Sequence, residues 1–237
     1  MSAQCGGGEG TGDGDDGAGS PPCLLHAVAP DGTLCPDLQQ ARDVGRWRKV
    51  ERERLIAERI ALPAEMRASQ TSAIARELDE LVPGGAAVIV SIYWPIRAEP
   101  DLREWMRGLH ERGVTVALPV AVALGQPLKF RVWHPGCALV RGLWKIPYPA
   151  DGAEVTPTVV LAPLVGFDRA CYRLGYGGGF FDRTLAGLAS RPLVIGLGYP
   201  GAELATIYPQ PHDVPMDWIV TGSGRPLERD RLAVPDR

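Results

Sequence analysis

No run of roughly eighteen consecutive apolar residues occurs in this chain, so the sequence offers no helix that would span a bilayer. The N-terminus lacks the basic-then-apolar order of a secretory signal. Cysteine is sparse and unpatterned: Cys5, Cys23, Cys35, Cys137 and Cys171 make an odd number without C-x-x-C spacing, and the four histidines are scattered. That excludes a disulfide framework and a structural zinc site, and leaves reduced thiols in a cytoplasmic protein as the simplest account. No G-x-x-x-x-G-K-S/T is present, which removes a Walker-type phosphate loop. Charge is also weak. The net value is −3, and no basic stripe has the density a nucleic acid needs.

What is present is ordinary globular material. The 237 residues are 45 % apolar and 22 % charged, enough to bury a core without a metal or a disulfide. Residues 1–40 carry six acidic side chains and no Lys or Arg, so the rest of the chain, −3 less −6, stands at +3. Such a balance suits small polyanionic ligands. The Gly- and Asp-rich start (Gly6 to Asp16) cannot bury enough surface to fold. Residues 1–40 are therefore expected either as a disordered acidic leader or as residues ahead of a mis-assigned start. Residues 41–224 are expected to form one domain and residues 225–237 a charged tail, with a monomer as the default.

Periodicity gives the order of elements. Ala41 to Ala61 predicts a basic amphipathic helix with Val44, Trp47, Leu55 and Ile56 inward. Pro63 restarts the chain at a helical first turn, and Ala64 to Val82 spaces Met66, Ile74, Leu78 and Leu81 helically. Ala86 to Tyr93 is an apolar run expected as a buried strand, and Asp101 to Arg112 a helix capped by Asp101 and ended by Gly113. Further strands are expected at Val114–Leu118, Leu128–Trp133, Val159–Val165, Leu193–Leu197 and Trp218–Val220. Strands alternating with helices predict a single three-layer α/β/α domain on a mostly parallel or mixed sheet. In such sheets ligands bind beyond the carboxyl ends of the strands.

The glycine run lies just past one such end. Arg173-Leu174-Gly175-Tyr176-Gly177-Gly178-Gly179-Phe180-Phe181-Asp182-Arg183 holds four glycines in five positions, with a cation before them and an anion after. Phe180 to Leu188 opens a helix whose free N–H groups and positive dipole end face whatever the loop cradles. The combination suits a phosphate chain with magnesium. The dinucleotide fingerprint G-x-G-x-x-G is not met, because Phe180 stands where its third glycine would be.

The same stretch, with Pro163 to Asp168 and Tyr172 ahead of it, resembles the signature of the 5-formyltetrahydrofolate cyclo-ligases, or methenyltetrahydrofolate synthetases. Supporting likenesses follow in order: Arg52 to Leu62, Tyr93-Trp94-Pro95-Ile96 with Glu99, Phe130 to Gly136, Ile146 to Pro149, and His212 to Asp217. The likeness spans residues 46 to 222. It implies an ATP- and magnesium-dependent ligase of one-carbon metabolism. That enzyme converts 5-formyltetrahydrofolate to 5,10-methenyltetrahydrofolate through a phosphorylated formyl group, releasing ADP and phosphate. Its partners would be small molecules only, without nucleic acid or membrane.

By the same resemblance Arg173 and Asp182 act in catalysis, with Asp182 and Asp213 holding Mg2+. ATP would be bound by Arg48, Lys49, Arg52, Arg173, Leu174, Gly175, Tyr176, Gly177, Gly178, Gly179, Phe180 and Phe181. Glu99 would take the folate edge, and Tyr93 and Trp133 would offer ring faces to it. Asp217 has the competing reading of a polar loop residue. Three departures stand out. Gly178 replaces a lysine common in the glycine loop, Arg48 stands where lysine is usual, and Lys145 replaces a small residue. The first two favour an alternative, a regulatory paralogue that binds nucleotide or folate and turns over poorly. A nicotinamide-dependent oxidoreductase is the other alternative, against which the failed third glycine speaks.

Overall fold

The computed structural model describes residues 38–230. The leader expected over 1–40 lies outside them except for its last three residues, as do Cys5, Cys23, Cys35 and residues 231–237 of the expected tail. The chain divides into two compact units between Val50 and Glu51. Helix α1 (Leu38–Ala61) crosses that division. In the first unit Val44 and Arg48, four apart on this helix, are buried.

The second unit is built on a seven-stranded sheet. In chain order the elements are α2 (Ala64–Leu81), β1 (Ile89–Ser91), α3 (Arg103–Glu111), β2 (Thr115–Val120), β3 (Lys129–Trp133), β4 (Leu139–Arg141) and β5 (Pro147–Pro149). They continue with β6 (Val159–Pro163), β7 (Gly166–Phe167), β8 (Arg173–Leu174), α4 (Phe180–Gly187), β9 (Leu193–Leu197), β10 (Trp218–Val220) and β11 (Leu227–Glu228). The sheet runs β11-β10-β9-β6-β1-β2-β3. Its five inner strands are parallel, and β3 and β11 close the two edges antiparallel.

Alternation in the strands explains the layers. Val159 and Leu161 of β6 enter a cluster with Ile74 and Leu78 of α2 and Trp105, Met106 and Leu109 of α3. Val160 and Ala162, one position out of step, enter a second cluster with Leu185 of α4. Helices therefore cover both faces. The domain has the three layers expected, on a mixed sheet that is parallel at its centre.

Differences from the periodicity reading are local. Met66 is exposed, because it lies about 80–120° round α2 from Ile74 and Leu78. Pro63 precedes the helix as its N-cap rather than entering its first turn. The run Ala86–Tyr93 pairs only over Ile89–Ser91, its start being taken by a turn in which Val88 N–H donates to Gly85 O. Asp101 sits one residue ahead of the α3 cap, yet its carboxylate accepts the Arg103 N–H at 3.2 Å. The two ribbons β4–β5 and β7–β8 stand outside the main sheet. Strand β11 lies inside the stretch expected as a tail.

Candidate functional site

Chain direction brings three segments of the second unit to one edge of the sheet. Strands β1, β6 and β9 release the segments Ile92–Glu99, Leu164–Gly179 and Gly198–Tyr199 at their carboxyl ends. The β7–β8 ribbon carries the chain out and back, and delivers it to the glycine loop ahead of α4.

Each glycine of the loop has its own reason. At Gly175 a Cβ would collide with the Arg173 guanidinium, so the glycine makes room for a neighbouring cation. Gly177 and Gly179 take φ of +91° and +62°, backbone that L side chains avoid. Gly179 is also the N-cap of α4. Arg52 bridges to the loop from α1, donating from Nε to Gly175 O at 2.7 Å. Its guanidinium carbon lies 3.4 Å from where a Gly177 Cβ would be.

Arg173 and Asp182 hold each other. Nη2 of the arginine is 2.7 Å from Oδ2 of the aspartate, with side chains 5 % and 14 % exposed. The other carboxylate oxygen accepts the Val214 N–H at 3.2 Å, which draws the neighbouring Asp213 to the same end of the loop. Asp213 accepts the Gln210 N–H at 2.7 Å. Nε of Arg173 is buried and has no partner among the described residues. The guanidinium also lies 5.2 Å from the Phe181 ring centroid. Leu174 is buried in a small cluster with Leu55, Val165 and Ile207, and anchors the loop from below.

Glu99 is reached from the loop. Tyr176 Oη donates to its Oε1 at 2.7 Å, while the Ile96 N–H donates to Oε2 at 2.8 Å. Burial pushes the carboxyl up, against the opposing pull of the Ile96 N–H, Tyr176, Arg59 and Arg97. Burial first, then Glu99, raises the Tyr176 phenol. Arg59, a residue absent from the sequence-based set, donates to Tyr176 Oη at 2.5 Å. One signal pointed to it: Arg52 and Arg59 are seven apart, two turns along one helix face.

Other expected residues fall differently. Arg48 and Lys49 lie in the first unit, the former buried and the latter exposed. Tyr93 and Trp133 are core residues, 5 % and 6 % exposed, so their ring faces are already covered by neighbours. A half-buried ring at this edge is Trp94, with the Arg103 guanidinium 5.5 Å from its centroid. Asp217 serves the fold: its carboxylate takes the Val194 N–H at 2.9 Å and Arg191 at 3.1 Å. The small residue usual at the position of Lys145 acquires an explanation. Trp144 and Lys145 form the tip of the β4–β5 ribbon with φ of +54° and +60°, where a small residue is favoured. Trp144 meets Phe180 edge-on, with centroids 5.3 Å apart, so this tip borders the glycine loop.

A cleft of about 750 Å³ opens beside Glu99, lined also by Arg67, Trp94, Arg97, Arg103 and Tyr199. It lies at the amino ends of α2 and α3, where helix dipoles favour anions. A cavity of about 350 Å³ near Pro83 and Arg112 is at the amino ends of the strands, away from this chemistry. Cys171 is buried, and burial and then Asp168 push its thiol up to about 12, away from the reactive thiolate. Among the described residues no three His, Cys, Asp or Glu side chains gather as a metal cage, and no helix is long and apolar enough to cross a membrane.

The profile of the 5-formyltetrahydrofolate cyclo-ligase family matches residues 44–222. A 5-formyltetrahydrofolate cyclo-ligase of Mycolicibacterium smegmatis is 33 % identical over 178 residues, 72 % of this chain and 91 % of its own. One from Escherichia coli K12 is 30 % identical over 172 residues, 70 % and 94 % of the two chains. Among solved structures, the 5,10-methenyltetrahydrofolate synthetase of Aquifex aeolicus superposes with a TM-score of 0.67 at 26 % identity, covering 77 % of this chain and 93 % of its own. The Mycoplasma pneumoniae synthetase, at 21 % identity and a TM-score of 0.61, shares the fold over 74 % of this chain and 99 % of its own.

Proposed function

The chain belongs to the 5-formyltetrahydrofolate cyclo-ligase family, and from that premise we propose that it is a cytoplasmic, monomeric ligase acting on 5-formyltetrahydrofolate and ATP. The products are 5,10-methenyltetrahydrofolate, ADP and phosphate. One observation carries the reading: the glycine loop and Glu99 are joined directly, by the 2.7 Å bond from Tyr176. A phosphoryl group can pass between two substrates only where their sites adjoin.

In the first step the formyl oxygen attacks the γ-phosphorus and the bond to ADP breaks. The neighbouring folate nitrogen then attacks the formyl carbon, the oxygen leaves with phosphate, and the nitrogen loses its proton. Phosphoryl transfer asks the protein for positioning and neutralisation of charge. Arg52 and Arg173 supply cations, and the amino end of α4 further N–H groups. Glu99 would accept hydrogen bonds from the folate edge beside the cleft. Asp182 and Asp213 would hold magnesium through hard carboxylate oxygens, with phosphates supplying the rest of its shell and Asp182 exchanging its Arg173 partner for the ion. Once bound, it would neutralise phosphate charge.

Formation of the methenyl product, followed by its near-ultraviolet absorbance, tests the reading. Purified protein with 5-formyltetrahydrofolate, magnesium and ATP should show a rise that Asp182→Ala abolishes. A folded protein that binds either substrate without that rise refutes the activity. The same result would favour the regulatory paralogue, in which the mutual pairing of Arg173 and Asp182 is purely structural.

A further inference from the structure

Tyr176 belongs by sequence to the glycine run, between Gly175 and Gly177, where a phosphate contact is the natural expectation. Its hydroxyl is committed elsewhere. It donates to Glu99, 77 positions away along the chain, and accepts from Arg59. Arg59 is buried, and its remaining contacts are to carbonyls: Nε to Arg97 O at 3.0 Å and Nη1 to Leu164 O at 3.2 Å. The guanidinium thereby ties α1, the loop after β1 and the end of β6 to one phenol. The Tyr176 ring lies between two cations, 5.9 Å from Arg59 and 5.5 Å from Arg97.

The loop that presents Glu99 is held in an unfavourable backbone. Arg97 and Ala98 are both left-handed, with φ of 46° and 59°. Such backbone persists only where the surroundings over-determine it. Here Arg59 grips the Arg97 carbonyl on one side, and the Ile96 N–H grips the Glu99 carboxylate on the other. We propose that Arg59 and Tyr176 are a positioning relay that orients Glu99 for the reduced folate, and that Tyr176 serves this substrate rather than the nucleotide. The inference rests on the reading of Glu99 as the folate-side carboxylate.

The charge balance around Glu99 sets the sign of the pH effect. Facing it are Arg59 from α1, Tyr176 from the glycine loop, Arg97 from its own loop, Tyr93 after β1 and Tyr199 after β9. Burial favours the neutral acid, and the Tyr176 hydrogen bond favours the carboxylate. Removing that hydroxyl makes the acid harder to ionise. The low-pH limb of folate use should then move to higher pH.

Tyr176→Phe keeps the ring between its two cations and deletes only the hydroxyl, with its bonds to Glu99 and Arg59. Steady-state kinetics across pH should show the KM for 5-formyltetrahydrofolate rising about tenfold or more. The acid limb of kcat/KM should shift upward, and the KM for ATP should stay unchanged. Arg59→Lys, which keeps a cation but loses the fork, should move the folate terms in the same direction. A rise confined to the ATP KM, or an acid limb that does not move in either variant, overturns the relay while leaving the activity intact. If the wild-type protein forms no methenyl product, the activity reading fails instead. Direct titration of 5-formyltetrahydrofolate into wild type and Tyr176→Phe then decides the relay, and equal affinities sink it. Should Tyr176→Phe fail to fold, Arg59→Lys carries the same comparison.

Discussion

Glu99, Asp168 and Asp217 are all buried acids, and their partners set Glu99, the proposed folate-side carboxylate, apart from the two that serve the fold. Asp168 spends both oxygens on backbone, accepting the Ala170 and Tyr172 N–H groups at 3.1 Å each and that of Ile207 at 3.0 Å. Asp217 likewise closes the β9–β10 region. Glu99 takes a single backbone N–H, faces a cleft and meets a tyrosine. Glu99→Gln should therefore lower kcat/KM for the folate by about ten- to a hundredfold, since a charge-assisted hydrogen bond contributes about 1.5–3 kcal/mol. The KM for ATP should barely change. Gly175→Ala makes the complementary case, because its new methyl group displaces the Arg173 guanidinium from Asp182. Overpacking of that kind costs about 1–3 kcal/mol. A lower melting temperature together with weaker binding of a non-hydrolysable ATP analogue should follow.

Elements that stand outside the periodic pattern decide the borders of the site. The β4–β5 ribbon has a two-residue tip in left-handed backbone, Trp144 and Lys145, and the tip touches the first residue of α4 through Phe180. Left-handed backbone costs an L-residue about 1–2 kcal/mol, partly offset by the extra freedom glycine brings to the unfolded chain. Lys145→Gly should accordingly raise stability by about 0.5–1 kcal/mol in denaturant titration. At the other edge, β11 pairs with β10, Arg229 is buried, and Cys171 Sγ contacts the Leu227 carbonyl at 3.8 Å. Ending the chain after Gly224 strips that strand and uncovers a parallel edge. The melting temperature should fall by roughly 2–4 °C for each kcal/mol lost, and a chain unaffected by the cut would show that β11 contributes nothing.

At the scale of the whole molecule, the site lies along the carboxyl edge of the sheet, and its buried acid links stability to pH. The Glu99 carboxyl titrates above its ordinary range in the folded protein, so between the two values the folded state holds more protons than the unfolded one. Stability from this group is thus present at low pH and is lost as pH rises through that window. Replacing the acid by Glu99→Gln removes the loss. Its melting temperature, compared with that of wild type, should gain as pH rises from the ordinary carboxylate range toward neutrality, and a constant difference would contradict the shift. The sequence by itself determined the layers, because alternation in Val159–Pro163 and helical spacing of Ile74 and Leu78 are local properties that burial must satisfy. It also determined the glycine loop, since the bare backbone of Gly175 to Gly179 can be read without knowing what surrounds it. Only tertiary structure decided that Arg173 and Asp182 hold each other, that Tyr93 and Trp133 are covered, and that Arg59 reaches Glu99 through Tyr176. Those relations join residues far apart in the chain, and neither spacing nor composition carries the direction in which a side chain turns once three segments meet.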